Sequence, residues 1–250
     1  ENINFSYLNS ELSIPEFSIF IDDGTILSSI NFSNKDNFNF KSRFINIDLN
    51  QITSFSSINN NLSGKLNGTI DMVNNVNYPL ASLFFDVDGF SYNDFDFVST
   101  SINAIFKKNR LIINDLNLED ELGDLSGYGY IDFKLNNLFP IADEKDSLYM
   151  SVMANNFNIN SLKWFIPSEY EYGGLLNSEI TFLGKTNSPE IITDFEFINP
   201  KFDKIEGKYL KGKAVYENNN IYFNNVQLLT DLGSYSGNGY FPLYNMSNSN

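Results

Sequence analysis

The chain repeats itself at a fixed spacing of 110 residues, and this constrains its fold more than any single motif. Pro79 stands against Pro189, and the same ungapped shift sets Gly64 against Gly174, Ala104 against Ala214 and Asn109 against Asn219. The register closes on DLSGYGYIDF at Asp124 to Phe133 and SYSGNGYFPL at Ser234 to Leu243, where Gly127, Gly129 and Tyr130 meet Gly237, Gly239 and Tyr240. Self-similarity at one long period is the signature of like supersecondary units in sequence, each burying its apolar side with its neighbours. It predicts one unit over 1–21 that is only the tail of a predecessor, a full unit over 22–131 and a second over 132–241. Residues 242–250 then begin a further segment or a disordered tail, and the whole reads as a section of a longer array. In the leading tail, PEFSIF stands where the Gly-x-Gly is expected.

Within a unit the hydrophobic period is two, the period of a strand with one face buried. In NLSGKLNGTIDM, Leu62, Leu66 and Ile70 share a face, opposite Lys65, Asn67 and Asp71. The same alternation groups Leu83, Phe85 and Val87, then Ile102 and Phe106, then Leu116 and Leu118. Repeat counterparts of these include Leu176, Ile180, Phe195, Phe197, Tyr216, Val226 and Leu228, and Phe182 shares the face of Ile180. Tight polar connections such as Lys107-Lys108-Asn109-Arg110 separate the runs, so successive strands pair antiparallel as a meander of about six per unit. The fold class is all-β. Gly127, Gly129, Gly237 and Gly239 notch one face of the closing strand, which marks a bend, a bulge or a close approach of another group; a crease in the sheet is the expected role.

Composition agrees and removes several functions. With 24 Phe and 14 Tyr, and Asn, Asp, Ser and Gly to make turns, strands are favoured over helices. A net charge of −15 makes a phosphate backbone a poor partner, so nucleic acid is not expected. The chain has no Cys and no His, which removes disulfides, thiolate metal sites and the commonest general base. No catalytic residue, metal or cofactor is expected. Glu119-Asp120-Glu121 and Asp143-Glu144-Lys145-Asp146 read as solvated surface and lack the spacing of a calcium loop. Trp164, in SLKWFIP, reads as part of an irregular or one-turn helical plug. No run approaches the roughly 18 apolar residues of a membrane helix, so the chain is soluble or its targeting segment lies outside this stretch.

The order of features inside a unit resembles the repeats of TamB and the wider AsmA-like group of bacterial envelope proteins. The lead-in INSLKWFIP, the strand GGLLNSEITFLG, the Pro step TNSPEIITDFEF and the closing NNVQLLTDLGSYSGNGYFPL carry that likeness. The resemblance implies an elongated antiparallel sheet curled into a U-shaped rod in the periplasm of a Gram-negative bacterium, as part of a longer inner-membrane-anchored protein. Its apolar groove would carry phospholipids to the outer membrane, with an Omp85-type barrel as a further partner in outer-membrane protein assembly. The eighteen apolar residues named above would line that groove. If the sheet instead closes on itself they are ordinary core, and the sequence leaves both arrangements open. An outer-membrane β-barrel and a surface or secreted β-repeat adhesion module are the competing architectures.

Overall fold

The computed structural model describes residues 5–9, 11–33, 37–51, 62–75, 78–92, 95–136, 139–141, 146–162, 171–186 and 188–243. Trp164 and Asp143 to Lys145 lie outside these; of the expected plug only the start is described, where Ser161 and Leu162 belong to a single 3-10 turn over Ile159–Leu162. The chain divides into two compact units, 1–119 and 120–250.

The first unit is an antiparallel meander. It holds β1 (Ser6–Leu8), β2 (Glu11–Ile21), β3 (Gly24–Ser33), β4 (Asn37–Asp48), β5 (Leu62–Asn75) and β6 (Tyr78–Tyr92). The short β7 (Phe95–Asp96) folds back on β6, and β8 (Ser99–Lys107) and β9 (Arg110–Glu119) follow. Each strand pairs with the next, except that β6 passes over β7 to pair along its length with β8. The second unit contains β10 (Asp124–Asp132), an isolated hairpin of β11 (Lys134–Asn136) and β12 (Phe139–Ile141), then β13 (Ser147–Asn158) and β14 (Tyr172–Lys185). It continues through β15 (Ser188–Phe202), the short β16 (Ile205–Glu206), β17 (Tyr209–Glu217), β18 (Asn220–Thr230) and β19 (Gly233–Pro242). Among the described residues no ladder joins the first strand of either unit to its last. Neither sheet closes, which removes the barrel from the competing architectures.

The 110-residue shift carries β4 to β8 onto β13 to β17 residue for residue, from Asn37 against Ser147 to Lys107 against Glu217. Irregularities are carried too. A β-bulge between Phe44 and Ile47 recurs between Ala154 and Phe157, and one between Ser63 and Lys65 recurs between Gly173 and Leu175. At the first, Asn46 (φ 52°) and Asn156 (φ 47°) take the left-handed conformation that Asn tolerates best after Gly. Their backbone N–H groups donate to the side-chain oxygens of Asn67 and Asn177 at 2.9 and 2.8 Å. The hairpin turns are also shared: Lys108-Asn109 and Asn218-Asn219 have φ between 50° and 62° at both central residues, the signature of a two-residue type I′ turn.

The shift fails at one place, and the failure is informative. Stretch 134–143 would match β3, but it holds the separate β11–β12 hairpin. It is β10 that pairs with β13 as β3 pairs with β4, at a spacing of 99 residues: Gly24 and Gly123 abut the equivalent backbones at Asn46 and Asn156. The closing strand of the leading tail is therefore β3 and not PEFSIF, with Ser28 and Ile30 in the places of Gly127 and Gly129. Ser28 fits because its hydroxyl is hydrogen-bonded to that of Ser42 at 2.9 Å, both side chains being buried.

Asp120 corrects the expectation of a solvated acidic run. It is 8% exposed; Oδ1 accepts the N–H groups of Leu122 (2.7 Å) and Gly123 (2.8 Å), and Oδ2 accepts that of Asn158 (3.0 Å). One carboxylate thus satisfies the turn before β10 and the end of β13. Asp120→Ala leaves three donors without that acceptor and should lower unfolding stability by about 3 kcal/mol, since hydrogen bonds to a charged group exceed neutral ones. Asp120→Asn should recover part of the loss; equal urea midpoints for wild type and Asp120→Ala would refute this role.

Candidate apolar binding face

Residues opposite one another in an antiparallel pair point to the same side, so the ladder registers sort every side chain to a face. In the first unit four cross-strand rows form on one face of β4, β5, β6, β8 and β9. They read Phe44, Gly68, Phe85, Ile102, Leu116; Ser42, Ile70, Leu83, Ala104, Ile113; Ile47, Leu66, Val87, Thr100, Leu118; and Phe40, Met72, Ala81, Phe106, Leu111. Phe85 lies against Gly68 and meets Phe44 edge-on at 5.6 Å. A Cβ at Gly68 would lie 2.5 Å from the Phe85 ring, so this glycine exists to admit the phenyl group.

The second unit builds the same rows. Val152, Ile180, Thr193, Ala214 and Phe223 form one; Phe157, Leu176, Phe197, Leu210 and Leu228 another; Met150, Phe182, Ile191, Tyr216 and Ile221 a third. In the fourth, Ala154, Ser178 and Phe195 lead to Gly212, which makes room for Phe195 and Val226. Phe195 and Phe197 lie 5.9 Å apart. The hydroxyls in the row positions are satisfied locally where they pair, Ser178 with Thr193 at 2.7 Å and with the Asp194 carbonyl at 2.9 Å.

Seventeen of the eighteen expected lining residues fall in these rows; the other, Leu62, lies beyond the bulge at Gly64, paired with Tyr92. The structure adds Phe40, Phe44, Ile47, Met150, Val152 and Phe157 from β4 and β13. Of the eighteen, only Val87 and Leu176 are buried, at 8% and 7% exposure, while the rest are half-buried. Among the described residues, fully enclosed side chains are confined to a few points, notably Ile47, Ala104 and Phe157 at 0%. A dry two-layer core would bury such residues throughout. The face is therefore partly open to solvent within each unit.

The glycines of the closing strands need restating. The β10–β13 ladder runs in unbroken register from Asp124 opposite Asn155 to Ile131 opposite Leu148, with no bulge at Gly127 or Gly129. A side chain at Gly129 would strike the Tyr149 carbonyl and lie 2.6 Å from Met150 Cα. These glycines accommodate close strand approach. At Gly237 and Gly239 nothing lies within 4 Å of such a Cβ, and the irregularity is in β18, between Phe223 and Val226.

The opposite face is rich in polar and charged residues, with Phe84, Met153 and Ile192 exposed among them, and carries ion pairs, Lys213 with Asp194 at 2.9 Å and Lys65 with Asp48 at 3.2 Å. In the second unit it forms an open trough of about 480 Å³ between residues such as Asn155, Asn177, Glu196 and Lys211. Among the described residues no group of three or more acidic side chains is placed to hold a metal. The N–H of Asn50 donates to Asp48 at 3.0 Å, and with Lys65 holds that carboxyl below its ordinary value. Because the folded value is the lower one, the stability Asp48 adds is present above about pH 4 and fades as pH falls. Exposure keeps it small, so Asp48→Asn should shift the acid unfolding midpoint only slightly and leave neutral stability within about 1 kcal/mol.

No family model, curated protein or solved structure matches the chain.

Proposed function

We propose that this chain is a section of a periplasmic conduit that shields phospholipid acyl chains on its apolar face between the inner and outer membranes of a Gram-negative bacterium. The observation that supports this reading most is the continuous, half-buried apolar face carried by each unit. A 16-carbon chain needs about 12 kcal/mol of shielding from water, at roughly 0.8 kcal/mol per CH₂. Isolated contacts do not supply that, whereas four adjoining rows of Leu, Ile, Val and Phe offer a lane along which one chain can lie. The polar and charged residues of the opposite face let such a lane stand in an aqueous compartment.

The test is native mass spectrometry with solvent extraction on the chain purified from a Gram-negative periplasm. Phospholipid adducts that also appear in the extract are the expected result. A lipid-free chain that takes up no phospholipid from detergent-solubilised stocks would overturn the reading and favour a β-repeat adhesion module.

A further inference from the structure

Among the described residues β19 pairs with β18 alone, and the glycines along its other edge describe the strand that fits there. The 110-residue shift sets Gly233, Gly237 and Gly239 in the places that Gly123, Gly127 and Gly129 hold before and within β10. All three of the earlier glycines serve the pairing with β13. A Cβ at Gly123 would strike the Asn155 carbonyl and one at Gly129 the Tyr149 carbonyl, while one at Gly127 would lie 3.0 Å from the Ser151 carbonyl oxygen. In β19 nothing stands within 4 Å of a Cβ at any of the three positions. Glycine weakens a strand and is placed where another backbone needs the room, so this edge is shaped for a close neighbour.

Exposure points the same way. β10 buries Gly127 and Gly129 and half-buries Leu125 and Ile131 beside them, whereas every residue from Ser234 to Phe241 is exposed. Tyr235 and Phe241, in the places of Leu125 and Ile131, are 54% and 58% exposed on the apolar face, opposite Leu228 and Ile221. The known pairings narrow the neighbour. β3, which takes β4, has Ser28 and Ile30 where β10 and β19 have glycines. β10 takes β13, with Val152 opposite Gly127 and Met150 opposite Gly129. A second copy of β19, centred on Asn238, would set Gly237 against Gly239 and leave the gaps unfilled.

We propose that the edge of β19 takes up an antiparallel strand of the β13 kind, supplied by a further unit of the same array. Its bulky apolar residues lie opposite Gly237 and Gly239, on the face of Tyr235 and Phe241, and its left-handed Asn lies beside Gly233. The pairing rests on the glycines and not on the acyl-chain reading, so a lipid-free chain leaves it intact.

The test is calorimetric titration of the 250-residue chain with a synthetic peptide of the β13 sequence, SLYMSVMANNFN, followed by amide hydrogen exchange. Saturable binding that slows exchange along β19 is the expected result. Gly239→Val should weaken it at least tenfold, and the β4 peptide NFNFKSRFINID should bind at least tenfold more weakly than the β13 peptide. Two further β13 peptides, N-methylated at alternate residues in complementary sets, keep the test decisive if the variant does not fold. Only one edge of the incoming strand donates to β19, so one set should bind and the other should not. No binding to wild type, protection away from β19, equal binding of the β4 peptide, unchanged affinity in Gly239→Val, or identical behaviour of the two methylated peptides would each overturn the proposal. A dimer that takes up no peptide and dissociates in Gly239→Val would overturn it in favour of a second copy.

Discussion

Replacing Phe85 and Phe195 together by Asp should reduce the phospholipid that accompanies the purified chain by about tenfold or more, an effect of at least about 1.4 kcal/mol. Each phenyl group occupies the middle of its unit's apolar face, over Gly68 in one case and Gly212 in the other. A carboxylate there faces an unfavourable choice between losing water to an acyl chain and keeping water in the lane. The rings are only half-buried, so the sheet signal in circular dichroism should persist. Phe84→Asp is the matched control. Phe84 is 46% exposed on the other face, opposite Thr69 and Asn103, and its replacement should leave lipid capture unchanged. Lipid loss in Phe84→Asp equal to that in the double variant would show that facing does not matter and would remove the basis of the conduit. Cooperative unfolding of Phe85→Asp with Phe195→Asp, in a chain that carries no lipid, would make the two rings closed core.

The second large effect concerns two glycines in the same Gly-x-Gly-Tyr motif. Gly129→Val should destabilise the second unit by about 4 kcal/mol or more, because the new side chain meets the backbone of β13 and neither strand can retreat without breaking a ladder. Gly127→Val should cost less than half as much, since a Cβ there comes no closer than 3.0 Å to the Ser151 carbonyl oxygen and 3.3 Å to the Val152 side chain, while its strand and partner are the same. Thermal or urea unfolding of the two variants side by side reads the difference. Similar costs at both sites would point to a shared requirement of the motif, such as a ligand contact, and against the explanation by strand approach.

Much of the fold is legible in the sequence where period two runs unbroken. The strands from Leu62 to Met72, Leu83 to Val87 and Ile102 to Phe106 show their faces directly, and the ladders place them accordingly. β4 hides its face for a physical reason. Phe40 and Phe44 keep the period, but the bulge at Asn46 makes the next inward residue Ile47, three positions on, and β13 repeats this with Ala154 and Phe157. The left-handed Asn at each bulge is the signal that could have located it. Asp120 was unreadable because its partners, Gly123 and Asn158, come together only when β10 lies beside β13. The 110-residue register also sets Phe97 against Gly207 and Phe90 against Pro200, a change in size that matching columns for identity conceals. The true closing strand of the leading tail escaped because the hairpin of β11 and β12 shifts the register from 99 to 110 residues beyond it.

The order of the ladders has a kinetic consequence. Nearly every strand pairs with its immediate successor through a short connection, so each contact closes a small loop and little chain entropy is lost before it is rewarded. A chain delivered gradually from one end, by a ribosome or a secretion channel, can add strands in the order in which they emerge, each using the last as its template. Until its successor arrives, that last strand exposes a row of unpaired peptide groups, and the vulnerability to wrong pairing travels along the chain with the growing edge.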